Sequence, residues 1–220
     1  MPAAELDLLD RSTHTIIQQV EAMQEMVKAF SEYARAPKLE RRSLDLNVLI
    51  NEVLDLYRDH VPAQWELRLQ TGLPAIEADV GRFRQLLHNL FKNALEALAE
   101  QGDGRITIST QCVEESGFPF VELRIDDNGP GFPAGLLGRL FEPYVTTKPK
   151  GTGLGLAIVK KIVDEHGGMI MAENTQQGAC VVIRLPLETS TVKLEQENDV
   201  VNGAVIARRN DGVAQRGEIA

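Results

Sequence analysis

Residues 151–156 read Gly151-Thr152-Gly153-Leu154-Gly155-Leu156, and an apolar helical pattern follows at once and runs to Glu165. A glycine run that opens a helix presents unpaired backbone N–H groups and the positive end of the helix dipole. Together these make a phosphate site, and the small residues allow close backbone approach. Two familiar frames for such a run do not fit. The dinucleotide fingerprint needs a third glycine where Leu156 stands, and a strand rather than a loop ahead of it. A P-loop needs the pattern GxxxxGK[ST], which does not occur.

The segment leading to this helix, residues 128–155, is dense in Gly and Pro, which marks a mobile loop rather than a core element. It starts from Asp126-Asp127-Asn128-Gly129-Pro130-Gly131 at the end of a strand-like run. An ionised carboxylate at that point can accept a hydrogen bond from an exocyclic amine, and Gly129 and Gly131 let the backbone turn tightly beside a planar base. Inside the loop, Phe141-Glu142-Pro143-Tyr144 supplies an aromatic pair able to anchor it, and Thr146-Thr147-Lys148 brings a cation within reach of a phosphate. Upstream, His88-Asn89-Leu90-Phe91-Lys92-Asn93-Ala94 falls on a long helix, where Asn89 and Asn93, four apart, project from one face. A carboxamide oxygen is a hard, uncharged ligand suited to Mg²⁺, which keeps several waters and bridges to nucleotide phosphates. Each segment alone is a common turn, solvated face or packing contact. Their joint order and spacing carry the functional signal.

The rest of the chain gives these segments a frame. From residue 8 to residue 36 there is no Gly or Pro, and Ile16, Val20, Met23, Val27, Phe30 and Ala34 recur by alternating steps of four and three, a coiled-coil seam that needs a partner helix. Pro37 ends it. A short strand at 43–46 leads to a helix with Asn47 as N-cap and Val48, Leu49, Val53 and Leu56 inward. Strands at 65–70 and 75–78 precede a helix opened by Asp79 and closed by the Gly102-Asp103-Gly104 turn. An antiparallel hairpin, 105–113 and 120–126, is joined through Glu114-Glu115-Ser116-Gly117, and a last hairpin, 169–173 and 179–187, completes the sheet. After Glu188 the periodicity is lost, and residues 188–220 are expected to be disordered. Helices and antiparallel pairs in one unit predict an α+β, two-layer sandwich preceded by a long helix.

At 220 residues, 43% of them apolar, the chain can bury one core with appendages. Its formal charge of -9 excludes a nucleic-acid binder, which needs a basic face. Cys112 and Cys180 lie far apart in apolar runs without a metal-ligand spacing, and both read as buried small residues. The acidic N-terminus and the lack of about 18 consecutive apolar residues predict a chain with neither a secretion signal nor membrane contact.

The four segments resemble the N, G1, F and G2 boxes of the sensor histidine kinase catalytic domain, in the ATPase superfamily shared with gyrase and MutL. The resemblance covers residues 43–187, and Leu140-Phe141-Glu142-Pro143-Tyr144 with Thr146-Thr147-Lys148 is most similar to the nitrogen-regulation subgroup, NtrY-like or NtrB-like. It implies the Bergerat ATP-binding fold, a mixed and mostly antiparallel sheet with three main helices, and it implies ATP and Mg²⁺. By resemblance, Asn93 is the Mg²⁺ ligand and Asn89 supports the metal and phosphate region. Asp127 binds the adenine amine, with Gly129 and Gly131 at the base. Lys92, Lys148 and the stretch Gly151, Thr152, Gly153, Leu154 and Gly155 sit near the phosphates, and Phe141 holds the lid. Hydrolytic relatives place a Glu at the position of Asn89; an Asn there is no general base near pH 7, so ATP is held for transfer rather than hydrolysis.

Residues 1–37 resemble the second helix of the family's dimerisation and phosphotransfer hairpin. The family's phosphoacceptor is a His followed by an acidic residue and, a few positions on, a Pro. His14, His60, His88 and His166 all fail that pattern. The expected partners are therefore a phosphoacceptor His helix of the parent kinase, a response regulator receiver domain and a second copy through the N-terminal helix. The expected location is cytoplasmic, within a parent protein that is free to be anchored in the inner membrane. Two alternatives stay open: a nucleotide-responsive docking module without catalysis, and a serine kinase or ATPase of the same superfamily.

Overall fold

The computed structural model describes residues 11–20, 23–24, 27, 30–31, 38–58, 63–99, 101–148 and 151–187. After the N-terminal helical segment the elements are β1 (Arg42–Leu44), α1 (Leu46–Arg58), β2 (Gln64–Leu69), β3 (Ile76–Ala78), α2 (Val80–Ala97), β4 (Arg105–Glu115), β5 (Phe118–Asp127), a 3-10 turn (Ala134–Arg139), α3 (Gly155–Glu165), β6 (Met169–Asn174) and β7 (Ala179–Pro186).

Alternation of side chains builds the main sheet. Ile106 and Ile108 on β4, Leu123 and Ile125 on β5, and Val181, Ile183 and Leu185 on β7 all enter one core. The strand order is β2-β4-β5-β7-β6, with β2 parallel to β4 and every other neighbouring pair antiparallel. β1 and β3 form a separate antiparallel pair. The residues between the core positions meet as charged pairs on the other face: Arg184 Nε donates to Glu122 at 2.8 Å, and Arg124 bonds Asp126 at 2.9 Å. Glu122 is buried by that contact, and its carboxyl lies below its ordinary range because bonds from Arg184 and Gln111 outweigh the upward push of burial.

The helices cover the core face. α2 buries Phe83, Leu86, Leu87, Leu90, Phe91 and Ala94 at helical spacing, and α3 buries Ile158, Val159, Ile162 and Val163. Phe83 is fully enclosed, so Phe83→Ala would cost about 3–5 kcal/mol. Asp79 caps α2 through a bond from the Arg82 N–H (3.1 Å) and also receives the Glu40 N–H (3.1 Å). His166, at the end of α3, ties the two helices together. Its Nε2 accepts the Asp79 N–H (3.0 Å), which fixes the tautomer, and its Nδ1 then donates to the Ile162 carbonyl (2.7 Å).

Three details differ from the sequence reading. α1 is capped by Asp45, whose carboxylate accepts the Val48 N–H at 3.1 Å; Asn47 instead donates to the Gln70 carbonyl (2.9 Å) and accepts from the Thr110 hydroxyl (2.7 Å). The inner face is Leu46, Leu49, Ile50, Val53 and Leu54, spaced by three and four, while Val48 and Leu56, expected inward, are exposed. The β4–β5 hairpin is longer than expected, because Glu115 pairs with Phe118 across a two-residue turn. Ser116 and Gly117 both have positive φ there (54° and 82°), the mirror-image turn that matches strand twist.

In the N-terminal segment, described positions 11–20 are helical, and Ile16, Val20, Met23, Val27 and Phe30 of the expected seam are exposed. Ala34, Pro37, His60 and the expected disordered tail at 188–220 lie outside the described residues. Among the described residues no helix is long and apolar enough to cross a membrane.

Candidate nucleotide-binding site

β5 delivers Asp127 to the end of the sheet, one residue past its last pairing with β7. One carboxylate oxygen, Oδ1, accepts the Gly129 N–H (2.9 Å) and the Ala179 N–H (3.4 Å), leaving Oδ2 directed elsewhere. Burial raises the Asp127 pKa above its ordinary value, and these two backbone bonds offset only part of that. The neighbouring Asn128 is structural: its Oδ1 accepts the Arg105 N–H at 2.6 Å and its Nδ2 donates to the Asp103 carbonyl at 3.0 Å. On the other side, a methyl group at Gly129 would lie 3.3 Å from the Ala97 side chain, so the loop rests on the last turn of α2.

Ala97, Asn93 and Asn89 recur every four residues and form one stripe on α2. Asn89 donates through Nδ2 to the Gln85 carbonyl (3.0 Å), which turns its Oδ1 outward. The residue facing both carboxamides is Gly155, the first of α3. A Cβ added there would lie 3.6 Å from Asn89 Oδ1, 3.6 Å from Asn93 Nδ2 and 3.7 Å from Asn93 Oδ1. The stripe thus meets the Asp127 loop at one end and a helix N-terminus at the other, eight residues and about 12 Å along the axis. Hard carboxamide oxygens beside the amides of a helix start suit a phosphate-bound Mg²⁺, since the oxygens can ligate the cation while the N–H groups face the phosphate oxygens.

Between these ends, the lid folds on itself. Tyr144 and Gly153 both have positive φ (67° and 68°), and the Tyr144 N–H donates to the Gly153 carbonyl at 3.0 Å. A Cβ at Gly153 would fall 2.5 Å from the Tyr144 carbonyl carbon, so the crossing requires glycine. Gly151 is held by its N–H to the Lys148 carbonyl (3.1 Å), and the Leu154 N–H meets the Thr152 hydroxyl at 3.4 Å. Lys148 extends to α2 and pairs with Glu96, and Lys92 lies 3.8 Å from the same carboxylate. Phe141 is not brought to the other site residues: it lines a cavity of about 290 Å³ with Ala157, Lys160, Lys161, Asp164 and Glu165 on the side of α3.

The described histidines are held in structural contacts. His166 is buried against Phe83, ring centroids 4.9 Å apart, and burial lowers its pKa. His88 Nδ1 bonds the Tyr57 hydroxyl at 2.9 Å and is likewise lowered by burial, and His14 is paired with Gln18 at 3.0 Å.

The chain belongs to the histidine kinase-, DNA gyrase B- and HSP90-like ATPase family, whose model matches residues 78–189. Within that family its catalytic domain is of the sensor histidine kinase type. The nitrogen regulation protein NtrY of Azorhizobium caulinodans is 40% identical over 195 residues, which cover 86% of this chain and 25% of that protein. This chain therefore spans a quarter of the length of that relative. The solved catalytic domain of histidine kinase ThkA matches with a TM-score of 0.60 at 34% identity, covering 67% of this chain and 95% of that one. ThkA crystallised in complex with response regulator protein TrrA matches at 0.64 and 31% identity, covering 81% of this chain and 51% of that one.

Sequence reasoning missed three site neighbours. Asn174 bonds the backbone of Phe132 just past Gly131. Gly178 packs so tightly behind the Asp127 carbonyl that any Cβ would overlap it. Glu96 takes both lysines. Only the Lys92–Glu96 spacing of four was a visible signal; the other contacts depend on strand register.

Proposed function

We propose that residues 43–187 bind Mg²⁺-ATP between α2 and the lid and pass its γ-phosphoryl group to a histidine on another segment or chain. The observation that carries this reading is the α2 stripe, on which Asn89 and Asn93 face the start of α3 while Ala97 supports the Asp127 loop. Asp127 Oδ2 would accept the adenine amine, because Oδ1 is already committed to two backbone N–H groups. Asn93, with Asn89 beside it, would hold Mg²⁺, which when bound neutralises charge on the phosphates. The amides around Gly155 would hold the terminal phosphate, and Lys148 and Lys92 would move from Glu96 to it. Gly129 and Gly131 shape the base end, Gly151, Thr152, Gly153 and Leu154 shape the phosphate end, and Phe141 anchors the lid from outside.

In the transfer, the bond from the γ-phosphorus to its bridging oxygen breaks and a bond to an imidazole nitrogen forms, leaving ADP. Such a reaction needs positioning and charge neutralisation more than covalent help, which is what these residues offer. Asn89 cannot deprotonate water near pH 7, so hydrolysis is disfavoured. The acceptor would be a His-bearing helix packed on the exposed seam at Ile16, Val20, Met23, Val27 and Phe30, and the final recipient an Asp of a response regulator receiver domain. That reading places the chain in the cytoplasm.

Mixing the chain with a separate His-bearing helical hairpin and γ-labelled ATP tests it. Label on the hairpin's histidine is the expected result. Binding without transfer would make the chain a docking module, and rapid release of free phosphate would make it an ATPase.

A further inference from the structure

Beyond Asp126, the pairing of β5 with β7 stops, and the chain from Asp127 onward has no strand beside it on that side. A free loop there would let Asp127 and the lid move together. Two contacts from the β6–β7 turn prevent this. Gly178, held in the turn by bonds between Thr175 and Gly178, backs the Asp127 carbonyl, and the next N–H, from Ala179, reaches the Asp127 carboxylate. The second contact is stronger. Asn174 Oδ1 accepts the Phe132 N–H and Asn174 Nδ2 donates to the Phe132 carbonyl, both at 2.7 Å.

A carboxamide that donates to and accepts from one residue's backbone reproduces the bonding of a neighbouring strand. Only Asn has both functions at this length; Asp would set a carboxylate against the Phe132 carbonyl, and Ala would leave neither bond. The preceding residue is adapted to it: Gly131 has φ of 76°, and a Cβ there would lie 2.8 Å from Asn174 Oδ1. Phe132 is also the last residue before the lid's 3-10 turn and its capping Pro133. The clamp therefore lies between the base-recognition loop and the 3-10 turn of the lid.

We infer that Asn174 is a positioning residue for adenine recognition, acting through Phe132 and Gly131 to keep the Asp127 carboxylate aimed. This rests on the reading of Asp127 as the adenine acceptor. Asn174 is exposed and stands outside the core, so removing its bonds is expected to spare the fold.

The test is Asn174→Ala in the full chain, measuring ATP and GTP affinity with Mg²⁺, melting temperature, and exchange of the Phe132 amide without nucleotide. The expected result is faster Phe132 exchange and a loss of about tenfold in the ATP-to-GTP affinity ratio at an unchanged melting temperature. Asn174→Asp, which sets a carboxylate oxygen against the Phe132 carbonyl, should lose the preference in the same direction. Equal weakening of both nucleotides together with a lower melting temperature would show a merely structural role, and an unchanged ratio would overturn the inference outright. Asp127→Asn run alongside separates the two levels: if it too keeps wild-type ATP preference, the adenine assignment itself fails, whereas if it loses that preference and Asn174→Ala does not, only the clamp is wrong.

Discussion

Lys148, on the lid, pairs with Glu96 on α2, and that carboxylate also attracts Lys92 from 3.8 Å. The lysine proposed to reach the phosphate is thus held about one helical turn beyond Asn93. Glu96→Gln removes the competitor, so ATP affinity should rise by a few-fold at most, since exposed ion pairs are worth roughly 0.2–1 kcal/mol. The gain should shrink as salt is added. Titration calorimetry at two ionic strengths checks it; weaker binding in the variant would mean that Glu96 helps the lysines rather than restraining them.

Gly155→Ala separates folding from binding. The added methyl meets the Asn89 and Asn93 carboxamides at 3.6–3.7 Å, an ordinary contact, so the fold should tolerate it. Alanine also favours the helix by up to about 1 kcal/mol. The same methyl fills the space between the carboxamides and the helix start. The melting temperature is expected to hold or rise slightly, while Mg²⁺-dependent ATP affinity falls about tenfold or more. Loss of both together would place Gly155 in packing alone.

Acid should loosen the tie between α2 and α3. Burial lowers the His166 pKa below its ordinary 6.5, so the unfolded chain binds the proton more readily than the folded one. The stability from neutral His166 is complete above pH 6.5 and is lost as pH falls through the depressed folded value. Arg41 opposes protonation, while Asp79 and Glu165 favour it without overcoming burial. His166→Gln should melt lower at pH 7 yet show a flatter slope between pH 7 and 5 than the parent, with His88 contributing to the slope that remains. Parallel curves would exclude His166 as the titrating group.

Asp127 carries the opposite sign. Its raised pKa means that the folded chain takes up a proton at a higher pH than an exposed carboxyl does, which favours folding but removes the acceptor for an amine. ATP affinity should therefore start to fall on acidification before the ordinary Asp value of 3.8 is reached, and Asp127→Asn should abolish that dependence while weakening binding at neutral pH. An affinity flat down to pH 4 in the parent chain would contradict this.

Asn47→Ala should destabilise the domain by about 1–3 kcal/mol, because it strips the buried Thr110 hydroxyl of its acceptor and the Gln70 carbonyl of a donor. Urea unfolding checks the figure. A change near zero would show that water replaces both bonds.

What could be read in advance was local. The stripes of α2 and α3 repeat within a few turns, and the glycine-rich segments announce themselves by composition, so the sandwich and the two ends of the site were legible. Asp45 against Asn47 was not, because both are good caps and only the true start of α1 decides between them. Asn174 and Gly178 stand far from Asp127 in sequence and acquire meaning only through the register of β6 and β7. Phe141 belongs to a motif that lists lid residues together, whereas packing sends its ring to the outer side of α3.

The two cysteines turn the domain into its own reporter. Cys112, expected from its apolar run to be buried, is open on β4, whereas Cys180 is fully enclosed on β7 as expected, its thiol pushed up by burial and by the nearby Asp126. A maleimide dye added to the native chain will attach once, at Cys112. The second attachment must wait until β7 parts from β5, so its rate clocks the opening of the strand pair on which Asp127 rides.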